Sequence, residues 1–317
     1  MPVPSGLSAQ LGFAAETTHG TRVAPTKFMD LVSESLSLTI ERMESAGLRA
    51  GRRMLTSNQW VAGRRSAGGD LVMELGTTGQ GLLWQAALGG TASSTGAGPY
   101  VHTYAPGDIN TSMTIQIGKP SIDGTVRVFE YPGSMVNTWE VSCSAGEIAR
   151  VSLGILARDE TTSQTLATAT YPTGYAPMVF TQGVLNIGGS LYEVREATVS
   201  GDNGLVDDRF VLGSAYRNQP KEADKRDYSF SLTSDFFDLT AYNRFVNGTE
   251  AALTLTFTSG AYIFQIVGNV RTDGSTPVVS GPDILDLPLT GKFVASGATD
   301  DTGLKIVRTT TEVTATA

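Results

Sequence analysis

Five arginines, Arg49, Arg52, Arg53, Arg64 and Arg65, crowd the stretch "GLRAGRRMLTSNQWVAGRR", residues 47–65, of a chain whose formal net charge is −8. Guanidinium groups at this density pair with phosphates or with carboxylates, and their planar forks favour two-pronged contacts. The acidic total disfavours general binding to nucleic acid or anionic membrane, since both need long positive surfaces. The basic patch must therefore be local. Trp60 sits inside it, where a large apolar side chain either anchors in a partner's pocket or packs back on its own sheet.

Other residue types that do chemistry are present without the spacing chemistry needs. His19 and His102 are the only histidines, each in loop-like sequence, and neither accompanies a G-x-S-x-G nucleophile signature. Cys143 is the single cysteine, in "TWEVSCS", so no intrachain disulfide forms, a structural zinc site is not expected, and the thiol reads as a strand residue. "GTTGQGLLW", residues 76–84, lacks both the G-x-G-x-x-G spacing and a closing Gly-Lys-Ser/Thr, so its glycines read as tight packing at a helix entry. The pairs Asp207-Asp208 and Asp300-Asp301 fall outside the calcium-loop pattern and read as turn residues. Trp84, Trp139, Phe236 and Phe237 read as core packing, not as platforms for bases.

The elements that must position these residues are mainly β. "SLSLTIE" sets Leu36, Leu38 and Ile40 against Ser37, Thr39 and Glu41; "DLVMELG" sets Leu71, Met73 and Leu75 against Val72 and Glu74; "NTWEVSCS" sets Trp139, Val141 and Cys143 against Thr138, Glu140 and Ser142. A period of two means half-buried strands. Further strands are expected at 113–117, 125–130, 148–156, 183–188, 191–199, 208–212, 227–233, 252–258, 262–267 and 284–294. Only 79–88 and 234–246 have helical character, the second with Ser234 as its cap.

With 317 residues, 40% hydrophobic and 17% charged, the chain is a folded protein with a weakly charged surface, of one elaborate domain or two similar ones. The start "MPVPSGLSAQLG" has neither a basic nor an apolar leader region, and no run of 18 apolar residues occurs, so neither secretion nor membrane insertion is expected. Composition divides the chain into an arm (1–27), a first unit (28–158), a linker (159–177), a second unit (178–295) and a tail (296–317) that orders against a neighbour. Each unit runs strand, charged loop, strand, helix, then more strands. Asp70 and Asp227 open the pre-helical strands 157 residues apart, near half the chain, which reads as a degenerate duplication.

Three phrases carry something more specific: "ESLSLTIERMESAGLRAGRR", "DGTVRVFEYPGSMVNTWEVSCSAGEIARVSLGILARDE" and "NGLVDDRFVLGSAYRNQPKEADKRDYSFSLTSDFFDLTAYNRF". Together, over residues 12–295, they resemble the tail tube proteins of long, non-contractile-tailed bacteriophages. The resemblance implies a β-sandwich with flanking short helices whose strands join those of neighbours in a β-barrel around a channel. It implies a virion structural protein, assembled in the host cytoplasm, with no catalytic residues and no cofactor. Its partners would be copies of itself in stacked rings, a tape measure protein, tail terminator and tail tip proteins, and double-stranded DNA passing unbound. A terminator, a head-tail connector or a decoration protein is the alternative, and a carbohydrate-binding β-sandwich a remoter one.

Under that resemblance the arginine stretch and Trp60 are expected at contacts between subunits or rings, facing carboxylates such as Asp202, Asp207 and Asp208. Single-copy subunits of the family close as six. A duplicated one is expected to close as three, giving pseudo-sixfold rings, with six chains as the alternative. The acidic total suits a channel that does not hold DNA.

Overall fold

The computed structural model describes residues 5–274, 276–277, 279, 281–282, 285–296 and 303–317, so the Asp300-Asp301 pair lies outside the described residues. The first half of the chain contributes β1 (Gln10–Ala15), β2 (Lys27–Met29), β3 (Ser33–Glu34), β4 (Ser37–Glu44), β5 (Trp60–Glu74), α1 (Gly81–Leu88), β6 (Ser93–Thr95), β7 (Tyr100–Tyr104), β8 (Met113–Pro120), β9 (Val126–Ser144) and β10 (Arg150–Ala157). The second contributes β11 (Gly183–Ile187), β12 (Ser190–Tyr192), β13 (Val194–Asp202), β14 (Asp227–Asp235), α2 (Thr240–Asn247), β15 (Ala251–Ser259), β16 (Tyr262–Gly274), β17 (Asp286–Phe293) and β18 (Leu304–Thr310).

All the strand pairings are antiparallel, and they form two runs in the same order. In the first half β4 pairs β5, β5 pairs β10 and β10 pairs β9; in the second, β13 pairs β14, β14 pairs β17 and β17 pairs β16. Beyond these, β8 and then β1 continue from β9, as β15 and then β11 continue from β16. The two runs meet where β13 pairs with β9, Thr138 opposite Asp202 and Trp139 opposite Gly201. One eight-stranded sheet results, β4-β5-β10-β9-β13-β14-β17-β16.

Alternation dictates its two faces. Leu71, Met73, Trp139, Val141, Val151 and Leu153 point inward and are buried, while Glu140, Asp202 and Asp227 point outward. β9 is long enough to serve two layers: its first part pairs β8, its last part lies between β10 and β13. Under the sheet lies one hydrophobic cluster that draws on both halves, with Trp84 edge-on to Trp139 at 6.3 Å and tilted on Phe264 at 5.3 Å. Burying each such side chain stabilises the fold by about 1.5–3 kcal/mol.

The helices fill equivalent places and differ in burial. Both end on a left-handed glycine, Gly89 at φ 81° and Gly248 at φ 59°, a conformation a side chain resists. α1 is apolar all round and sits in the core; α2 buries only Ala241. The glycines before α1 are indeed packing positions: Gly81 abuts the backbone of Ala315 and donates its N–H to Ala317 O at 3.1 Å.

Several expectations need correction. β5 starts at Trp60, so Trp60, Arg64 and Arg65 stand on a strand and not in a loop, because the hairpin ladder runs on to Glu44 opposite Trp60. Residues 208–212 form no strand; they belong to the 203–226 connection, which folds over the first half. Ser234 is not a helix cap, since β14 continues through Asp235 along β17, and Asp238 Oδ1 accepts the Thr240 N–H instead, at 2.7 Å. The sheet ladder outweighs the local cap signal. Phe237 is 95% exposed and is no core residue. His102 lies on β7, wholly buried, its Nδ1 2.8 Å from Ser94 Oγ and its Nε2 2.8 Å from Glu312 O.

The ends of the chain also pack where an open arm and tail were expected. β1 buries Leu11 and Phe13 between β2 and β8, and β18 pairs β16 on one edge and β7 on the other. The residues after Asp159 carry no named strand until β11, yet they are tied down: Thr161 exchanges two 2.8 Å backbone hydrogen bonds with Glu130, and Ala167 N–H donates to Gln116 Oε1 at 2.9 Å.

Candidate assembly surfaces

The outward face of the eight-stranded sheet is built by register. Cross-strand partners share a face, so Ser152, Glu140, Ser200, Ser229 and Lys292 form one row across β10, β9, β13, β14 and β17. The row beside it holds Gly154, Thr138, Asp202 and Asp227. Small hydroxyls dominate, and acids outnumber bases. Lys292 Nζ is 2.6 Å from Asp227 Oδ2, and Arg195 bridges Asp235 and Asp286, whereas Asp70 and Glu140 make no ion pair among the described residues. The face is polar and net negative.

At one end this face runs into the β4–β5 hairpin, whose connection, 45–59, is exposed apart from the half-buried Thr56 and Gln59. Local bonds shape its tip: Thr56 N–H donates to Gln59 Oε1 at 3.0 Å, and Gln59 Nε2 donates to Gly47 O at 3.4 Å. Arg49, Arg52 and Arg53 surround a concavity together with Leu48, Met54 and Leu55, all exposed. None of these three guanidinium groups has a side-chain partner among the described residues. Trp60 is 55% exposed, with the Arg42 guanidinium 5.4 Å above its ring. Arg64 lies 3.6 Å from Glu41 and over Phe210, and Arg65 is held at 2.8 Å by Asp159 and over Tyr216.

The acidic residues singled out with the arginines lie elsewhere. Asp202 ends β13 and its Oδ1 accepts the Gly204 N–H at 2.8 Å; Asp207 and Asp208 are exposed in the 203–226 connection. Within one chain none of the three meets Arg49, Arg52 or Arg53.

Residues that the sequence pattern did not mark hold that connection down. Arg217, 4% exposed, donates to Ala67 O at 2.8 Å and to Ala157 O, closing the end of the β5–β10 ladder. Burial pushes its pKa down, the Asp207 carboxylate opposing. Arg226 Nη1 donates to Leu88 O at 3.0 Å, and Asn203 Nδ2 to Ala87 O at 2.8 Å. Glu222 pairs Arg226 at 2.7 Å; burial alone would raise its pKa, but hydrogen bonds from Arg226 and the Ile109 N–H and the Arg226 charge bring it below the ordinary value. Glu222–Arg226 apart, no local spacing signals these contacts, which join residues far apart in the chain.

The eight-stranded sheet is open at both ends. Among the described strands β4 pairs only β5, and β16 beyond Val270 pairs only β17. These are the outer edges of the eight-stranded sheet.

A family model described as phage tail tube protein matches residues 6–293. No curated protein matches the chain.

Proposed function

We propose that this chain, which belongs to the phage tail tube protein family and is therefore a non-catalytic, self-assembling structural subunit of the tail tube, closes three to a ring. The observation that carries this reading is the β9–β13 seam. Inside the chain, the last strand of the first pairing run accepts the first strand of the second; β16 and β4 are the corresponding strands left open. A rotation that repeats the seam would pair β16 of one subunit with β4 of the next, a head-to-tail contact that closes into a ring. Exposed edges that would otherwise invite aggregation are then consumed. With two copies of one unit per chain, three chains give a pseudo-sixfold barrel.

The outward sheet face becomes the channel wall in this arrangement. Its hydroxyls and its excess of acids, Asp70 and Glu140 among them, outweigh Arg150 and Lys292 on the same face, so DNA passes without being held. A tape measure protein fills the channel before ejection, terminator and tip proteins close the two ends, and rings assemble in the host cytoplasm. Arg49, Arg52, Arg53 and Trp60 reach a neighbouring subunit on the side where β13 ends at Asp202 and the connection bearing Asp207 and Asp208 begins. Arg64 and Arg65 brace the base of the hairpin.

The seam supplies a register to test. Thr138 and Asp273 are equivalent, each opposite the fifth residue of β10 or β17; Asp202 and Thr39 are equivalent, since their partners Asp227 and Ser66 lie at the same spacing before Asp235 and Glu74, the residues opposite the first of β17 and of β10. Since Thr138 faces Asp202 within the chain, Asp273 should face Thr39 of the next subunit. In a Cys143→Ser background, Thr39→Cys with Asp273→Cys should link chains into a ladder that stops at three. Assembled tubes that show no link would reject the register, and a ring reconstruction with six chains would reject the trimer.

A further inference from the structure

α1 and α2 occupy the same place after β5 and β14, and both stop at a left-handed glycine, so Ala87 and Leu88 of α1 correspond to Val246 and Asn247 of α2. The last carbonyls of a helix lack intrahelical donors and carry the negative end of its dipole. In α1 donors from the second half of the chain reach these carbonyls, beside the Gly107 N–H that also bonds Leu88 O at 3.0 Å. Asn203 Nδ2 donates to Ala87 O, and Arg226 Nη1 donates to Leu88 O, with Arg226 itself only 15% exposed. Both donors belong to the segment joining β13 and β14, which crosses the seam to lie on the first unit.

In α2 the corresponding carbonyls, Val246 O and Asn247 O, have no hydrogen-bond donor among the described residues. Val246 is 58% exposed where Ala87 is wholly buried, and Arg271 on β16 is exposed where Met135 on β9 is wholly buried. The surface that the 203–226 connection covers on the first unit is thus bare on the second. The counterpart of that connection is the 45–59 tip of the β4–β5 hairpin. Its three unpartnered guanidinium groups, with Leu48, Met54 and Leu55 exposed beside them, have nothing to cover in their own chain.

We infer that the 45–59 tip of one subunit lies across the bare end of the second unit of its ring neighbour and caps α2 with a guanidinium, as Arg226 caps α1. The occupant is a second copy of this chain. A cation at a helix C-terminus matches the dipole, and a guanidinium offers the several donors that two adjacent carbonyls require. Leu48, Met54 and Leu55 then cover Val246, in the way that Leu205 of the 203–226 connection packs with Ile109 and Met135 on the first unit. The contact is lateral, within a ring, and places the arginines next to the acidic end that bears Asp202. It rests on the ring closure proposed above.

The test uses the full chain in a Cys143→Ser background, with Val246→Cys combined with Met54→Cys or, separately, with Leu48→Cys, and a short bis-maleimide as linker. All these positions are exposed, so the subunit is expected to fold. On assembly, at least one combination should convert most of the chains into linked species that end at three. A ladder running past three would place the hairpin against another ring and overturn the inference. If neither combination links while Thr39→Cys with Asp273→Cys does, the ring closure stands and the hairpin assignment falls. If the edge pair also fails to link, both fall together.

Discussion

Trp139 on β9 and Gly201 on β13 stand directly opposite each other, with the indole lying against the glycine backbone. This is the seam that makes two four-stranded runs into one sheet. A Cβ at Gly201 would come within 2.5 Å of Trp139 Cε2 and 2.7 Å of Tyr228 Cδ1.

Gly201→Val should therefore overpack the seam and destabilise the subunit by about 1–3 kcal/mol, since Trp139 and Tyr228 sit in the core and cannot retreat. Chemical denaturation of the unassembled chain would read this as a lower midpoint. A variant of unchanged midpoint would show that the two runs are not held by this contact.

Arg52→Glu with Arg53→Glu should leave folding intact and prevent polymerisation. Both side chains are exposed and without a side-chain partner among the described residues, so the folded subunit should change by no more than about 0.5 kcal/mol, whereas reversed charge at a subunit contact produces repulsion. Circular dichroism and negative-stain microscopy together check this. Normal filaments at physiological salt would return the hairpin tip to a solvated surface.

If the outward sheet face lines the channel as proposed, Asp70→Lys with Glu140→Lys should turn it into a DNA-binding wall. Both side chains lie on the outward sheet face, and added cations bind phosphate with an affinity that collapses as salt rises. Retention of double-stranded DNA by assembled tubes at low salt is the measurement. Unmodified tubes that already hold DNA as strongly as the variant would contradict the assignment of this face to the lumen.

His19 should make the fold sensitive to mild acid. Burial is the main cause that holds its pKa below the ordinary 6.5; the Glu16 carboxylate opposes, and the charges of Arg158, Arg217 and Lys221 reinforce the burial. The folded state thus keeps the ring neutral while the unfolded chain binds a proton below about pH 6.5. Stability is full above that pH and declines as pH falls from 6.5 towards the lowered folded value. Urea melts between about pH 7.5 and 5 should show this slope, and His19→Gln should flatten it. An equal slope in the variant would assign the effect to other groups.

Strand alternation and the family phrases were legible because each is local or collinear. The inward set Leu71, Met73, Trp139 and Val141 follows from a period of two, which a pleated backbone enforces wherever one face is buried. The helix over 79–88 was legible from its dense apolar residues and the absence of β-branching. By contrast, Ser234 shows the limit of a local rule: its cap signal is real, but pairing with β17 carries the strand past it. The five arginines show a second limit. Alike in sequence, they separate in the fold into two that are held by Glu41 and Asp159 and three that have no side-chain partner among the described residues, because that depends on where the β4–β5 ladder begins. Arg217 and Arg226 carry no sequence signal at all; they become structural only when their segment folds across the first unit and meets unpaired carbonyls. Composition and periodicity thus determined the class of the protein and the faces of its strands. Tertiary structure decided which edges stay open and which cations stay unpaired, since both depend on pairings between residues distant in the chain.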